Sequence, residues 1–408
     1  MNIKIKKNNN YSKLVNFKIN KDEIIHRWFN IKEGYSKELI LNLINEFNIQ
    51  KGYIVDFFNG SGTTCLVAKE KGYKYFGFEI NPFLYLLSRV KLADYSERDI
   101  KEIKKNKENI FKKYKRIKII DSVNLSILEK VFKGNLENIL KIRTLIFKID
   151  DKKIRDFFII AMLSVIDDVG FAKKDGNGLK YPKNKIISNF LTTFSKKIDL
   201  MLLDIKNFKY KNKKGFGIIN CDSRDIPKKY IDKIKKKTSL IVFSPPYANC
   251  FDYTEVYKLE LWLGGFVKKY EELKNIRNNS LSSHLNKNLD SYKSYSFIKK
   301  DLKILQNKKL WSKKIIQMLN GYFYDMERIL NYSYNILTTG GYCIIVVGNS
   351  AYSGHIIKTD VILSKIATNI GFSSSEINIA RKLRASSQQA KLFKGNNALR
   401  ESVIILKK

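Results

Sequence analysis

A short apolar run that ends at two prolines constrains the fold of this chain more than any other stretch. The run LIVF at 240–243 is continuous and partly β-branched, which is typical of a strand buried on both faces of a parallel sheet. Pro245 and Pro246 end it abruptly, because proline cannot donate to a ladder and keeps its predecessor out of the helical region. Open α/β sheets bind ligands at such a place, the carboxyl end of a central strand.

The turn itself, Ser244-Pro245-Pro246-Tyr247, has the groups needed to hold a flat ring that carries an amino group. Ser244 Oγ and a proline carbonyl can accept from the two N–H bonds, while the ring stacks on Tyr247. These four residues are therefore the candidate catalytic residues. The alternative is an ordinary structural turn that follows a strand.

The charge of the chain indicates a polyanionic partner. The 77 basic and 39 acidic residues give a net charge of +38, far more than solubility requires. Nucleic acid explains this excess better than an anionic membrane surface. Part of it can be compositional, because Lys, Asn and Ile are abundant throughout. A length of 408 residues with 44% hydrophobic residues leaves room for a large core, in one elaborated domain or two.

Cysteine and histidine usage argues against a metal site. Four cysteines and three histidines show no metal-ligand spacing, which predicts reduced, buried thiols. No stretch approaches the ~18 apolar residues of a membrane span, and the N-terminus lacks the apolar segment of a signal peptide. We therefore expect a cytoplasmic protein with no membrane partner.

A second strand, at 53–58, leads through a glycine-rich turn into a helix that stops at Gly72, which together form a nucleotide-binding βα unit. The candidate cofactor-binding residues here are Asp56, Phe58, Gly60, Gly62, Thr63 and Thr64. The next strand, at 75–80, carries Glu79 about 20 residues after the glycines, where a carboxylate can accept from both ribose hydroxyls. The competing interpretation of Glu79 is a solvated acid at a strand end.

Two features of the glycine turn argue against a dinucleotide. The third glycine of the pyrophosphate fingerprint is missing, and Asp56 just before the turn would repel a phosphate but attract an ammonium group. A cofactor with a ribose, an amino group and no phosphate fits both features, and S-adenosylmethionine is such a cofactor. Asp222, at the end of a third strand at 217–223, is a candidate acceptor for an adenine amino group.

An N-terminal segment supplies two further candidates. Ser36 is a good N-cap for the helix that follows it, and a helix N-terminus beside Trp28 and Arg27 could hold a carboxylate. Trp28 could equally be a core residue. Residues 1–25 are expected to form a loosely held arm, and the strand at 402–406 to lie at a sheet edge.

Two basic insertions interrupt the alternation of strands and helices. Within the first, segment 101–120 carries nine basic and two acidic residues on a helix-like pattern, and 173–178 is predicted to be an exposed basic loop. The second carries 13 basic and four acidic residues over 264–314, with aromatic residues among them. Basic groups among aromatics suit phosphate and base contacts, although a solvated helical face competes with this interpretation of 101–120. The interleaved aromatics are Tyr270, Tyr292, Tyr295 and Phe297.

This pattern predicts an α/β chain in five parts. They are 1–100, the cofactor-binding half; 101–210, a helical basic insertion; 211–263, the catalytic half; 264–330, a target-recognition region; and 331–408, strands and a helix that complete the sheet.

The glycine turn and the proline turn together resemble the DNA amino-methyltransferases, which methylate N4 of cytosine or N6 of adenine. The stretch DFFNGSGTT at 56–64 matches the pattern D-P-F-x-G-[ST]-G-T-T except at Phe57, where proline is usual. The stretch SPPY at 244–247 matches [DNS]-P-P-[YFW], and serine in first place favours the N4-cytosine branch. Glu79 and Asp222 fall where the family keeps its ribose and adenine contacts. Segment 26–36 looks like the one that closes over the methionine end of the cofactor.

The resemblance covers about 1–95, 215–265 and 335–408. It implies a Rossmann-like, S-adenosylmethionine-dependent methyltransferase sheet, double-stranded DNA as substrate, and a companion restriction endonuclease as a possible partner. A base inside a duplex cannot be reached, so the target has to flip out. The alternatives are an N6-adenine DNA methyltransferase, an RNA or tRNA guanine-amine methyltransferase, and a non-catalytic nucleic-acid-binding protein on the same fold.

Overall fold

The computed structural model of the chain describes all residues except 1–2, 32, 121–122, 124–125, 177, 209, 211–216, 290–291, 293–294 and 384–398. Within this described part, no helix is both long and apolar enough to cross a bilayer.

The strands of the described chain are β1 (Lys4–Lys7), β2 (Tyr53–Asp56), β3 (Lys74–Phe78), β4 (Lys173–Asp175), β5 (Gly178–Lys180), β6 (Gly217–Ile219), β7 (Thr238–Phe243), β8 (Leu337–Gly348), β9 (Ser350–Tyr352), β10 (His355–Ile357), β11 (Ser374–Leu383) and β12 (Leu399–Lys407). The α-helices are α1 (Lys37–Glu46), α2 (Thr63–Lys71), α3 (Pro82–Leu92), α4 (Glu97–Lys113), α5 (Ile127–Val131), α6 (Leu136–Phe147), α7 (Lys152–Leu163), α8 (Ile166–Val169), α9 (Phe190–Asn207), α10 (Lys228–Ile234), α11 (Tyr253–Val256), α12 (Lys258–Leu263), α13 (Tyr270–Asn278), α14 (Lys299–Gln306), α15 (Lys314–Ile336) and α16 (Thr359–Ile370).

Eight strands form one large sheet in the order β1-β11-β12-β8-β7-β2-β3-β6. Every pairing is parallel except those of β12, which runs antiparallel to both β8 and β11. Two pairs of short strands, β4 with β5 and β9 with β10, form separate hairpins. The mostly parallel sheet confirms the predicted Rossmann-like α/β fold.

Alternate side chains of the central strands point into two different cores, one on each face of the sheet. Ile54 and Leu240 belong to one core, whereas their neighbours Val55 and Ile241 belong to the other. All four are 0% exposed. This two-sided burial is the reason that β2 and β7 are apolar without interruption, as their sequences predicted.

Two predictions about the rim of the sheet are wrong. The C-terminal strand β12 lies inside the sheet, because a second neighbour pairs with it on the side away from β8, and its residues 403–406 are buried in the cores on both faces. That second neighbour is β11, which we did not predict. The described part of the predicted loose arm, residues 3–25, is not loosely held either. Strand β1 is the outermost strand of the sheet, and Tyr11, Val15 and Phe17 are buried in the core.

The first insertion packs against the N-terminal segment through one buried carboxylate. Asp204, in the last turn of α9, is 1% exposed and accepts hydrogen bonds from Ile25 N (3.0 Å), Arg27 Nε (3.1 Å) and Trp28 Nε1 (3.0 Å). The carboxylate therefore fixes the path of the chain over 25–28.

The predicted exposed basic loop at 173–178 is another correction. Its ends form the β4–β5 hairpin, and residue 177 lies outside the described residues. Lys174 is only 5% exposed, because it forms an ion pair with the fully buried Glu260 of α12. A buried countercharge, invisible in the local sequence, draws this lysine inward.

Replacement of Asp204 by alanine should lower the free energy of unfolding by about 2–4 kcal/mol, because several buried donors lose their acceptor together. Urea denaturation of the wild type and the variant measures the change. Asp199→Ala on the same helix is the matched control, since Asp199 is exposed and, among the described residues, pairs with Lys107 alone, an ion pair that contributes less than about 1 kcal/mol. Equal stability of the two variants would contradict the anchoring role of Asp204.

Candidate active site

The strands β2, β3 and β7 are neighbours and parallel, so their carboxyl ends meet at one edge of the sheet. A cleft of about 730 Å³, including its open mouth, lies at this edge. Phe58 and Gly60 after β2, Glu79 after β3, and Ser244 and Pro246 after β7 all line it. The sequence predicted each of these five as a site residue, and the fold brings them together.

The glycines of the turn are required by backbone geometry. Gly60 and Gly62 have φ values of +49° and +85°, in the left-handed region that favours glycine. A Cβ on Gly62 would also lie 3.0 Å from the Cβ of Ser88 on α3. The turn therefore approaches α3 closely as it enters α2.

Glu79 stabilises the turn from the end of the neighbouring strand. Its Oε2 accepts from Gly60 N at 2.8 Å, and its Oε1 accepts from Asn81 N at 2.8 Å. The residue is 8% exposed, so it is not the solvated strand-end acid of the competing interpretation. Burial raises the pKa of Glu79 to about 7. A carboxylate that lines the cleft in this way can accept from ligand hydroxyls as well.

Asp56 lies behind the turn and does not line the cleft. It is 1% exposed and accepts from Tyr35 Oη at 2.8 Å and from Phe58 N at 2.9 Å. Tyr35 Oη is also 2.5 Å from Thr64 Oγ1. Burial raises the pKa of Asp56 to about 6. Its direct contact with the cofactor stays a prediction, and what the structure adds is Tyr35, a partner that the sequence did not indicate.

The other residues of the turn support the cleft from behind. Gly62, Thr63 and Thr64 begin α2, and both threonines are buried. None of the three is among the residues that line the cleft.

The structure does not bring Trp28 or Ser36 to the cleft. Trp28 is 0% exposed, donates to Asp204 and packs edge-on against Phe157 of α7 with ring centroids 6.2 Å apart. Ser36 precedes α1 as predicted, but its hydroxyl donates to the carbonyl of Leu14 at 3.1 Å and does not cap the helix. Trp28 is thus a core residue, the other interpretation its sequence allowed.

Asp222 lies in a small adjoining pocket that Phe58 and Glu79 also line. Its carboxylate accepts from Arg224 Nη2 at 2.6 Å, and Arg224 also donates to Asp325 Oδ2 at 3.1 Å. Asp222 is thus close to the cleft and already paired with a cation. Its contact with an adenine amino group stays a prediction.

A second pocket, which we call the side chamber, adjoins the cleft. Its lining includes Ser244, Tyr247, Glu33, Arg381 and Glu401. Ser244 and Glu33 line the cleft as well, so they form part of the wall that the two pockets share. Pro245, which lies between the cleft-lining residues Ser244 and Pro246, is buried.

Tyr247 is held at both ends of its side chain. A Cβ on Gly348 of β8 would lie 2.7 Å from Tyr247 Cε2, so the ring rests directly on the glycine backbone. The hydroxyl of Tyr247 donates to Glu401 Oε1 at 2.6 Å. The ring is half-buried and forms one side of the chamber.

Sequence reasoning missed the opposite wall of the cleft, which residues 252–254 and 276–284 provide. Asp252, 1% exposed, accepts from Arg277 Nε at 3.0 Å and from Asn286 Nδ2 at 2.9 Å. His284 Nε2 lies 3.0 Å from Ser280 Oγ. Nothing in the local sequence signalled this role, because segments about 25 residues apart are brought together by tertiary contacts such as the ion pair between Asp252 and Arg277.

The charge of the cleft fits S-adenosylmethionine and does not fit a pyrophosphate. Among the described residues that line it are three acids, Glu33, Glu79 and Asp252, and no lysine or arginine. In a chain of net charge +38, an acidic cleft favours a cationic ligand. Glu79 stands at the turn, where a ribose would be held.

Comparisons with known proteins agree with this geometry. Residues 4–89 match the N6/N4 methyltransferase family, described as DNA methylase. The chain is 29% identical to the type II methyltransferase M.BsoBI of Geobacillus stearothermophilus, over 97% of this chain and 88% of the relative. It is 28% identical to the type II methyltransferase M.AvaI of a Nostoc species, over 97% of this chain and 89% of the relative. The similarity thus includes both insertions.

Affinity for S-adenosylmethionine should rise with pH between about 6 and 8, because Glu79 has a pKa of about 7 in the folded protein and accepts fully only when ionised. Titration calorimetry across this range measures the rise. Glu79→Gln should flatten it and, at pH 8, weaken binding about tenfold or more, since hydrogen bonds to a charged acceptor contribute ~1.5–3 kcal/mol. Any change in the affinity of the Glu79→Gln variant below about pH 6 would arise from protonation of Asp56, whose pKa is about 6. A wild-type affinity that stays constant from pH 6 to 8 would remove Glu79 from the binding site.

Proposed function

We propose that this chain, which belongs to the N6/N4 DNA methylase family and uses S-adenosylmethionine, methylates the exocyclic amino group of a flipped-out base in double-stranded DNA. N4 of cytosine is the proposed target, on the ground that serine comes first in the proline turn. The type II designation of the relatives extends the proposal to site-specific modification in a restriction-modification system, with a companion endonuclease as partner.

One observation supports the proposal most: Ser244 lies on the wall shared by the cleft and the side chamber. Amine methylation needs a place for a methyl donor and a place for a flat base, side by side. The acidic cleft has the charge for the first. The side chamber, with Tyr247 along one side, has an aromatic face for the second.

The residues of the turn would act on the amine of the base. S-adenosylmethionine, when bound, supplies an electrophilic methyl group. An aryl amine is a poor nucleophile because its lone pair is delocalised into the ring. Ser244 Oγ and a proline carbonyl accept from its N–H bonds and hold them out of the ring plane, which localises the lone pair. These preorganised acceptors and the fixed position of the base supply the rate enhancement.

Tyr247 has a separate role in the proposal, that of replacing the stacking that a base loses when it leaves the duplex. Base–aromatic stacking contributes about 1–3 kcal/mol. The ring cannot move away from the chamber easily, because Gly348 supports its face and Glu401 binds its hydroxyl.

The second insertion is proposed to recognise the bases, although two of the four aromatic residues that first suggested it, Tyr292 and Tyr295, do not support the idea. Tyr295 is 8% exposed, and the hydroxyl of Tyr292 lies 3.0 Å from Asp325 Oδ1, so both pack against the protein. A groove between α13 and α15 supports the proposal better. It is lined by Tyr270, which is exposed, and by several basic and amide side chains, the groups that read base edges and phosphates. Those basic and amide residues include Lys274, Asn278, Asn286, Lys314 and Gln317.

The first insertion is proposed to bind the DNA backbone. On and just beyond α4 most of its lysines are exposed, and the two aromatic residues there, Phe111 and Tyr114, pack against the core. Such a surface contacts phosphates irrespective of sequence.

Mass analysis of nucleosides from the DNA and the RNA of cells that express the protein tests the function directly. We expect N4-methylcytosine in DNA; N6-methyladenine would move the target to adenine, and a methylated RNA guanine would overturn the proposal.

Ser244→Ala should lower the single-turnover rate and leave DNA and cofactor affinity nearly unchanged, because the acceptor matters most in the transition state. Tyr247→Ala should instead impair base flipping, measured by 2-aminopurine fluorescence, and a mismatched target pair should partly restore it. A wild-type rate for Ser244→Ala would mean that the turn is structural.

Neutralising Lys104, Lys105, Lys112 and Lys113 with glutamine should weaken binding to all DNA sequences alike. The slope of log Kd against log salt concentration should fall by up to about 3.6, because each phosphate that the protein no longer neutralises lowers this slope by ~0.9. Fluorescence anisotropy at several salt concentrations, with specific and unrelated duplexes, measures both quantities.

The matched control neutralises four exposed lysines at the opposite edge of the sheet, before β2 and β7: Lys51, Lys235, Lys236 and Lys237. It should leave the salt dependence almost unchanged. If the first set of changes altered sequence preference, the roles of the two insertions would be reversed.

A further inference from the structure

One tryptophan of the second insertion lies open to solvent, which is unusual because tryptophan is highly buried on average. Trp311 is 67% exposed, whereas the two other tryptophans of the chain, Trp28 and Trp262, are 0% and 2% exposed. It lies in the segment 307–313 between α14 and α15, which we call the Trp311 loop. The residue before it, Leu310, packs against one of the two cores. The loop is therefore anchored while its indole ring is available to a partner.

Hydrogen bonds hold the Trp311 loop at the edge of the sheet where the proposed catalytic turn lies. Lys308 Nζ donates to the carbonyl of Ser353 at 3.0 Å, and Ser353 Oγ donates to the carbonyl of Lys309 at 2.6 Å. Ser353 is in the turn of the β9–β10 hairpin, and its neighbour Tyr352 donates to the carbonyl of Ala248 at 2.7 Å. Ala248 directly follows the proposed catalytic turn. The hairpin therefore ties the Trp311 loop to that turn.

The charge around Trp311 favours a nucleic acid over a protein as its partner. Residues 302–324 include no acidic residue. Lys314 also lines the groove between α13 and α15 that is proposed to read bases, so the loop and the groove adjoin. An aromatic face among lysines suits stacking on a base with phosphates on either side. Four exposed lysines flank the tryptophan in sequence: Lys308, Lys309, Lys313 and Lys314.

We propose that Trp311 stacks on a base of the duplex that flipping of the target leaves uncovered, while Lys309 and Lys313 contact the neighbouring phosphates. This inference rests on the proposed function and adds to it a residue outside the groove and outside both sequence motifs. Flipping removes one base from the stack and exposes the faces of its neighbours. An aromatic ring that covers such a face replaces part of the lost stacking and stabilises the distorted duplex. Tyr247 then stabilises the base that leaves the duplex, and Trp311 stabilises the gap that it leaves.

The tryptophan fluorescence of the full-length protein tests the inference, because only one of its three tryptophans is exposed. Acrylamide, an uncharged quencher, should reach Trp311 in the free protein and should quench it several-fold less once a duplex that the protein methylates is added. Stacking on a base should also lower the emission of Trp311 itself. Heparin, a polyanion without bases, should leave this emission unchanged. Trp311→Phe should remove the acrylamide-sensitive part of the signal, which assigns it.

DNA affinity separates the ring from the lysines beside it. Trp311→Ala should weaken binding of the methylated duplex about tenfold, the effect of losing one base–aromatic contact, and Trp311→Phe should restore much of the affinity. The slope of log Kd against log salt concentration should stay unchanged in both variants, because an uncharged ring releases no counterions. The double variant Lys309→Gln/Lys313→Gln should instead lower this slope by up to about 1.8, at ~0.9 for each phosphate.

The control for these variants is Ile5→Ala, which shortens another exposed apolar side chain, on the outermost strand β1. It should leave the DNA affinity unchanged. Thermal melting verifies that each variant is folded.

Several results would overturn the inference while methylation of DNA by the wild type leaves the proposed function intact. Trp311 could stay as accessible to acrylamide with DNA as without it, or Trp311→Ala could bind with wild-type affinity. An equal loss of emission with heparin would mean that charge and not stacking acts on the ring. Protection that rises with protein concentration in the absence of DNA would make the loop a contact between copies of the chain. Absence of methylated bases in DNA would instead refute the proposed function, and this inference with it.

Discussion

The site depends on a carboxylate that is almost removed from water. Glu79 follows β3 and accepts the backbone N–H groups of Gly60 and Asn81, so it ties the turn after β2 to the turn after β3. Its burial disfavours the charged form, and the two backbone hydrogen bonds offset part of that penalty. The side chain that is proposed to hold the ribose is therefore also the one that shapes the turn around it, and binding and local structure are coupled.

Around this edge of the sheet, acidic groups meet in a molecule that is basic overall. The cleft contains Glu33, Glu79 and Asp252, whereas lysines cover the exposed face of α4 and the groove beside α13. This separation suits two ligands of opposite charge, a cationic methyl donor in the cleft and polyanionic DNA on the surface. Ser244 lies between the two environments.

Both insertions contribute to the cleft, the second by lining it and the first by holding the N-terminal segment that leads to it. Residues 276–284, in the second insertion, provide one wall of the cleft and are held by the ion pair between Asp252 and Arg277. Asp204, in the first, fixes the N-terminal segment at 25–28, shortly before the cleft residue Glu33. The proposed cofactor cleft and the proposed DNA-binding surfaces are therefore built partly from the same segments.

The local sequence by itself determined the central strands and both turns. Unbroken apolar runs require burial on two faces, positive φ angles select Gly60 and Gly62, and paired prolines end β7, so the fold class and five cleft residues followed from short-range rules. Only the tertiary structure decided the positions of Trp28, Lys174 and the strands at the rim of the sheet. A tryptophan or a lysine can face a ligand, solvent or a core with the same neighbours in sequence. Which of these occurs depends on a distant partner, here Asp204 or Glu260. The place of Glu401 depends likewise on strand order, because only an antiparallel β12 beside β8 brings that carboxylate to Tyr247.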